Sequence, residues 1–229
     1  MKLVFFDRDG VINKRLFGDY VKETNQFIFN DGFFELFSNL KRDEYITTVV
    51  TNQQGVGKKI MTELDLINLH NFMQEQLRSN TNHSFDLIKY CTALATENNP
   101  RRKPKLEMFV EILDELKFDY NFPNYLSPDH LTSNNISPNQ LFTIGDSVTD
   151  IIPGNIIGST TIFIGTETTL EQEYKNKSSE LDIVFERFSK IYNHKSQSKS
   201  LNFENYYKPN YTFENINQLL LSYNDIFIL

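Results

Sequence analysis

The sequence predicts an α/β fold, a three-layer α/β/α sandwich around a mostly parallel central sheet. Short, continuous apolar runs recur along the chain, and most stop at a polar or Gly-Asp cluster, as strands buried on both faces do. Stretches with apolar residues at helical spacing lie between those runs. Strands alternating with helices in this way join parallel neighbours through right-handed crossovers.

The elements follow in order. Leu3 to Phe6 is the first strand, ended by Asp7-Arg8-Asp9-Gly10. Asp31 to Leu40 sets Phe33, Phe34, Phe37 and Leu40 on one helix face, a core stripe rather than a stacking platform. Ile46 to Val50 is a β-branched strand that ends in Thr51-Asn52-Gln53-Gln54-Gly55. Thr62 to Leu77 reads as a helix with Thr62 as its N-cap. Asp86 to Cys91 is a further strand, and Leu106 to Leu116 a third helix, with Pro104 suited to its first turn. Leu141 to Ile144 is a strand ended by Gly145-Asp146, and Thr160 to Ile164 another. The plan is Rossmann-like, and in such folds ligands bind at the carboxyl ends of the strands, where these polar clusters collect.

Residues 1–170 form the expected core, interrupted by a polar, Pro-containing insertion at about 121–139. Residues 171–229 read as a carboxy-terminal extension with a Lys/Ser/Gln linker near 194–200. Within it, Tyr211 to Leu221 is expected to return as a strand-helix element, docking on the sheet. Lys175 to Glu180 reads as a solvated charge run, and His70, His83, His130 and His194 as polar residues on surfaces or helix faces, away from any motif.

Composition narrows the function. Hydrophobic residues make up 39% of 229, with 20 Phe and 11 Tyr, enough for a sizeable core and too many for a disordered chain. The net charge of −7 opposes a general nucleic-acid coat or a polybasic membrane binder. The single cysteine, Cys91, excludes an intrachain disulfide and any multi-cysteine zinc site. The run at Leu3 to Phe6 is too short for a signal sequence and no later run reaches membrane-spanning length, so a cytoplasmic protein without membrane partners is expected.

Four clusters carry chemistry. Asp7 and Asp9 straddle the end of the first strand, and a turn through Gly10 can bring both carboxylates to one pocket. One can serve as a nucleophile and the other as a general acid/base if a cation suppresses their repulsion; the bland reading is a solvated Asp-Gly turn. Thr51 to Gly57 offers a hydroxyl, carboxamides and backbone donors to a phosphate oxygen, or is an ordinary Gly-rich loop. In Arg101-Arg102-Lys103-Pro104-Lys105, four of five residues are cationic against the global sign, which suggests an anion site; Arg101 and Lys105 read better as solvated loop. Asp146 closes the Leu141 strand, placed to join Asp7 in offering the oxygen ligands that Mg²⁺ takes. Asp150 is either an outer partner of that site or the cap of the following helix.

In this order, the four clusters resemble the haloacid dehalogenase superfamily of phosphohydrolases, over about residues 3 to 164. Asp-Arg-Asp-Gly-Val-Ile-Asn, Thr-Asn-Gln-Gln-Gly-Val-Gly and Arg-Lys-Pro-Lys are similar to the branch that contains the heptose 1,7-bisphosphate and histidinol-phosphate phosphatases, and Tyr20-Val21, Phe27-Ile28-Phe29 and Asp31-Gly32 lean to the heptose enzymes. The resemblance implies Asp7 as nucleophile and Mg²⁺ ligand. It implies Asp9 as acid/base, with its backbone carbonyl on the metal, and Asp146 as the remaining ligand. Thr51, Asn52 and Gln53 would bind phosphate or substrate, Lys103 would neutralise the transferring group, and Arg102 would contact the substrate body.

The sequence departs from relatives in two places. Cys91 has no second cysteine or histidine in Thr92 to Arg101, so the zinc loop of many relatives is expected to lack its metal, and Ser147 replaces a lysine common after Gly-Asp. The intervals Asn13 to Ile46 and Val56 to Arg101 leave room for a minimal cap domain or none, with Arg15 to Asn25 and Thr92 to Arg101 as substrate contacts.

The expected activity is Mg²⁺-dependent hydrolysis of a small phosphorylated metabolite through an aspartyl-phosphate, foremost a sugar bisphosphate such as D-glycero-D-manno-heptose 1,7-bisphosphate. Histidinol-phosphate phosphatase and nucleic-acid 3′-phosphatase are the enzymatic alternatives, the latter disfavoured by the charge. A catalytically degenerate binding module is the non-enzyme alternative. No pattern assigns an oligomeric state.

Overall fold

The computed structural model describes residues 1–118, 140–177, 181 and 206–228. The expected insertion at 121–139, the linker at 194–200, and His130 and His194 lie outside the described residues.

Six strands form one all-parallel sheet: β1 (Leu3–Phe6), β2 (Ile46–Asn52), β3 (Leu87–Cys91), β4 (Leu141–Gly145), β5 (Thr160–Ile164) and β6 (Tyr211–Phe213), in the order β3-β2-β1-β4-β5-β6. The helices are α1 (Phe33–Arg42), α2 (Gln54–Gly57), α3 (Glu63–Thr81), α4 (Glu107–Glu115), α5 (Val148–Ile156), α6 (167–177), α7 (Ile216–Leu221) and α8 (Tyr223–Phe227).

β1 shows why a continuous apolar run is needed at the centre. Its side chains alternate between the two faces, and both faces are covered. Val4 and Phe6 pack with α1, α3, α7 and α8 through Phe33, Phe37, Leu69, Met73, Ile216 and Phe227. Leu3 and Phe5 pack with α4 and α5 through Phe109, Ile112, Ile151 and Ile152. Phe33 and Phe37 belong to the core stripe, while Phe34 is only partly buried against it.

Local signals explain the helix ends. The Thr62 hydroxyl accepts from the Asp65 amide, and the Asp65 carboxylate accepts from the Thr62 amide, a capping box that starts α3. Ser147 and Asp150 make the same reciprocal cap on α5. Pro104 stands three residues before α4 rather than in its first turn.

The chain enters the sheet at β1, adds β2 and β3 on one side, then crosses to β4 on the other. The switch point is the β1–β4 seam, where the carboxyl-end crevice of an open parallel sheet opens. There the Asp7 amide donates to Ile144 O at 2.9 Å, fixing the exit of β1 against β4. Residues 206–228 complete the sheet edge and one face: the Tyr45 hydroxyl donates to Phe227 O at 2.8 Å and the Tyr223 hydroxyl to Asp43 at 2.7 Å. Among the described residues no globular cap interrupts the core; residues 13–32 form a loop with one 3-10 turn. No helix among them is long and apolar enough to cross a membrane.

Candidate active site

The register of the sheet delivers the chemistry to one edge. Phe6 pairs with Val49 and with Ile144, so Asp7 and Asp146 emerge side by side just past the ends of β1 and β4, next to Thr51 near the end of β2. Asp7 and Thr51 face a cavity of about 230 Å³ that is also lined by Asp9, Asn52, Arg102 and Lys103, by Arg15, Leu16 and Asp19 to Val21, and by Ser147, Thr149, Glu173 and Lys177.

Gly10 makes this convergence possible. Its φ is +98°, and a Cβ there would overlap Asp146 Oδ2. The turn thus folds directly under the β4 carboxylate, and Asp7 and Asp9 both reach the cavity. Gly145 serves the same packing, because a Cβ there would collide with the Asp150 side chain.

Lys103 is the buried hub, 2% exposed. Its ammonium lies 2.9 Å from Asp7 Oδ1 and 2.5 Å from Asp150 Oδ1, and donates to Val50 O at 2.6 Å. Asn52 seats the segment reciprocally: its carbonyl accepts from the Lys103 amide at 3.0 Å and its amide donates to Lys103 O at 3.1 Å. Burial works against the ammonium, but Asp150 and Asp7 outweigh it and hold Lys103 above the usual lysine range. Asp150 caps α5, one carboxylate oxygen accepting from the Ser147 amide, and its other oxygen anchors Lys103.

Carboxylate oxygens of Asp7, Asp146 and Asp150 lie within 4.8 Å of one another, the one cluster of metal-ligating groups among the described residues. Burial drives the Asp146 carboxyl well above the usual carboxylate range; Arg15, 3.1 Å away, opposes that, and the charges of Asp7, Asp150 and Glu173 add to it. Burial and the Asp7 charge raise Asp150 to about 6, against the pull of Lys103. Crowded, desolvated hard-oxygen donors of one sign are the donor set that suits a divalent cation such as Mg²⁺. The Asp9 carboxylate is outside this cluster. It accepts from Arg8, Asn13 and Gln53, and although burial pushes it up, Arg8 and those donors hold it below the usual range.

Several expectations need correction. Gln53 does not line the cavity: its amide donates to Asp9 at 2.8 Å and to Thr51 Oγ1 at 2.9 Å, behind the wall. Thr92 to Arg101 stays off the cavity wall, while Arg15, Leu16 and Asp19 to Val21 lie on it. The loop after β3 is tied by its own cations: Arg102 donates to Ala93 O at 3.1 Å, Lys105 to Asn98 and Asn99 O at 2.9 and 2.8 Å, and Arg101 pairs with Glu111 at 2.9 Å. Cys91 is buried at the end of β3. In the expected solvated run Lys175 and Asn176 are exposed and residues 178–180 lie outside the described residues, but Lys177 pairs with Glu173 at 2.5 Å, and Glu173 accepts from the Ser147 hydroxyl at 2.7 Å and the Val148 amide at 2.9 Å. α6 thereby supplies a wall of the cavity, and Lys177 lies 3.4 Å from the Ser147 hydroxyl. Finally, His70 is buried, 3.5 Å from Arg8 beside the Asp7–Asp9 motif. Arg8 and His70, like Glu173 and Lys177, are residues at the site that no sequence motif marks.

The family model for polynucleotide kinase 3 phosphatase matches residues 2–194. The chain belongs to this family. It is a phosphatase of the haloacid dehalogenase superfamily, which sets aside the binding-module reading. It is 30% identical over 153 residues to the D-glycero-beta-D-manno-heptose-1,7-bisphosphate 7-phosphatase of Helicobacter pylori, covering 67% of this chain and 77% of that one. It is 36% identical over 110 residues to the D-glycero-alpha-D-manno-heptose-1,7-bisphosphate 7-phosphatase of Mycobacterium tuberculosis, 48% of this chain and 57% of that one. In fold, the phosphatase superimposes on D,D-heptose 1,7-bisphosphate phosphatase from B. bronchiseptica, complexed with magnesium and phosphate. The TM-score is 0.66 at 17% identity, covering 98% of this chain and 99% of that one.

Proposed function

We propose that this phosphatase is a Mg²⁺-dependent phosphomonoester hydrolase working through an aspartyl-phosphate on Asp7, with a sugar bisphosphate of the D-glycero-D-manno-heptose 1,7-bisphosphate type as substrate. The observation that carries the reading is the single cavity in which Asp7, Thr51, Asn52 and Lys103 share a wall with further cations, Arg15, Arg102 and Lys177. One anionic end of a bisphosphate meets the first group and the other end meets the second. The activities of the relatives from Helicobacter pylori and Mycobacterium tuberculosis support the sugar, and between them they carry both anomers.

Asp7, Asp146 and the Asp9 backbone carbonyl are the groups that would hold Mg²⁺, with Asp150 behind them. Bound there, the ion supplies charge neutralisation to Asp7 and a phosphoryl oxygen. The chain's own residues do the rest. The Asp7 carboxylate attacks phosphorus, and the bond from phosphorus to the sugar oxygen breaks. Asp9 gives its proton to the departing alkoxide, then takes one from water, which attacks the phosphoaspartate and releases inorganic phosphate with Asp7 restored. Lys103 offsets the charge on the transferring group, with Thr51 and Asn52 donating to its oxygens.

The family description keeps a 3′-phosphorylated nucleic-acid end as a second reading, and Phe17, 94% exposed beside the cavity loop, offers a face for a base to stack on. The test is phosphate release with Mg²⁺ from heptose 1,7-bisphosphate, histidinol phosphate, other sugar phosphates and a 3′-phosphorylated oligonucleotide, for wild type and Asp7→Asn. Preference for the bisphosphate, abolished in Asp7→Asn, is the expected result. Preference for the oligonucleotide or histidinol phosphate would overturn the substrate, and undiminished turnover by Asp7→Asn would overturn the covalent mechanism.

A further inference from the structure

Asp9 is held more completely than a catalytic carboxylate needs for stability alone. Three donor nitrogens from within the protein hold its carboxylate, one of them spanning both oxygens. Arg8 Nη2 donates to Oδ1 at 3.1 Å and to Oδ2 at 2.9 Å, Asn13 Nδ2 donates to Oδ1 at 2.9 Å, and Gln53 Nε2 donates to Oδ2 at 2.8 Å. Together these contacts fix the carboxyl plane on the cavity wall.

Arg8 is the charged member of the set. It is 1% exposed, in a location where arginine seldom sits, and Asp9 is the acid it pairs with. Its second outward link is Nη1, 3.5 Å from His70 Nε2 on α3, with the Phe27 ring 6.0 Å from the guanidinium. Guanidinium has no acceptor, so the His70 nitrogen facing it must be the acceptor and the ring proton sits on Nδ1. Burial, then the Arg8 charge, pushes His70 down to about 3, so the ring is neutral and keeps that lone pair. The link joins the Asp9 turn to a helix 62 residues further on.

We propose that Arg8 and His70 are positioning residues for proton transfer by Asp9: His70 orients the Arg8 guanidinium, and Arg8 fixes the carboxyl plane from which the leaving group is protonated. Asn13 and Gln53 complete the frame but are tied to neighbouring backbone and to Thr51, so the Arg8–His70 arm is the one anchored outside the motif loops. This inference rests on the reading of Asp9 as acid/base.

Leaving-group dependence tests it, because a 4-nitrophenolate departs without a proton and a sugar alkoxide does not. The readout is kcat/KM, which reports the steps up to departure of the leaving group, for 4-nitrophenyl phosphate, phenyl phosphate and a sugar phosphate with Mg²⁺. Asp9→Asn should lose about a hundredfold or more on the sugar phosphate relative to 4-nitrophenyl phosphate. His70→Met, which fills the space with only a weak thioether acceptor, should lose about tenfold on the sugar phosphate and less than about twofold on 4-nitrophenyl phosphate. His70→Gln, which can still accept from Arg8, should return the sugar-phosphate value to within about threefold of wild type.

If His70→Met does not fold, as judged by its circular dichroism melt, Arg8→Lys carries the same expectation, since it keeps the charge and loses the fork. Parallel losses on all three substrates, no loss on any, or no rescue by His70→Gln would overturn the positioning role while leaving Asp9 as the acid. An Asp9→Asn variant without leaving-group discrimination would instead remove the reading of Asp9 and this inference with it.

Discussion

Replacing Lys103 with methionine separates stability from catalysis at the hub of the site. The ammonium is 2% exposed and serves three acceptors: Asp7 at 2.9 Å, Asp150 at 2.5 Å and Val50 O at 2.6 Å. Methionine keeps the unbranched stem, one heavy atom shorter, and removes the charge. The variant then carries two neighbouring buried carboxylates without their cation, and breaking a buried pair in this way costs about 3–5 kcal/mol. That is a large part of the roughly 5–15 kcal/mol that stabilises a domain. Asp150 has one escape, which is to take up a proton, so the penalty measured in urea should be smaller at pH 5 than at pH 8. The double variant Lys103→Met/Asp150→Asn removes the stranded charge while its amide oxygen can still accept from the Ser147 amide. It should recover about 2 kcal/mol relative to the sum of the single variants. Activity should not recover, because the charge facing the transferring phosphoryl group is gone in both; kcat/KM should stay down by about 10²–10³. Equal costs for the single and double variants in chemical denaturation, with additivity within about 0.5 kcal/mol, would refute the hub.

Gly10→Ala forces a Cβ onto Asp146 Oδ2 at a φ of +98°, so it should destabilise by about 1–3 kcal/mol and raise the Mg²⁺ concentration needed for half-maximal turnover; an unchanged Mg²⁺ titration would contradict the close approach. In metal-free protein, Asp150 sits at about 6 against an ordinary value of 3.8, so the native state binds more protons and stability falls as pH rises from about 4 through about 6. The full contribution is about 3 kcal/mol, of which about 1.4 falls between pH 5 and pH 7.5, read as the difference between wild type and Asp150→Asn in thermal melts with chelator at those two pH values. A wild type no more stabilised at pH 5 than Asp150→Asn would count against it. Chelation should remove binding of inorganic phosphate as well as turnover, measurable by calorimetry with and without Mg²⁺; equal phosphate affinity in both conditions would contradict a cation held by Asp7 and Asp146.

Much of the fold and part of the site were legible because each relied on local pattern. β1 could be read from four residues, since a central parallel strand must be apolar on both faces. Asp7, Thr51 and Asp146 could be read as neighbours because each lies at or just past the carboxyl end of a strand of one parallel sheet. The Ser147–Asp150 cap was written in a Ser-x-x-Asp spacing. What escaped depends on packing between distant segments. Nothing next to Arg8 in the chain says that its side chain turns inward, because arginine at a strand end is ordinarily solvated. His70 occupies a helix position whose partner is decided by how α3 lies on the sheet. Glu173 and Lys177 have the i, i+4 spacing of any exposed helix pair, and only the contact of Glu173 with Ser147 turns them toward the cavity.

The basic cluster at residues 101–105 shows how a motif can be right in chemistry and misleading in arithmetic. In sequence it is a concentration of cations; in the fold its members part company. Arg101 is spent on Glu111, Lys105 on loop acceptors, and Lys103 on Asp7 and Asp150. Of the other cavity cations, Arg15 is matched by Asp146 and Lys177 by Glu173. Arg102 alone among the cavity-lining cations has no acidic partner among the described residues, and its Nε is buried without a hydrogen bond. The lining holds four acids (Asp7, Asp9, Asp19, Glu173) and four bases, with Asp146 and Asp150 behind them. Arg8 and Lys22 offset Asp9 and Asp19, but at the buried end Asp7, Asp146 and Asp150 face only Arg15 and Lys103, so before a cation arrives that end is short of positive charge and repels a phosphate dianion. A divalent cation on the Asp7–Asp146 pair reverses that balance and frees Arg15 from its only acidic partner among the described residues. The geometry thus favours cation before phosphate, with Arg102 the one base already open to an anion when the substrate enters.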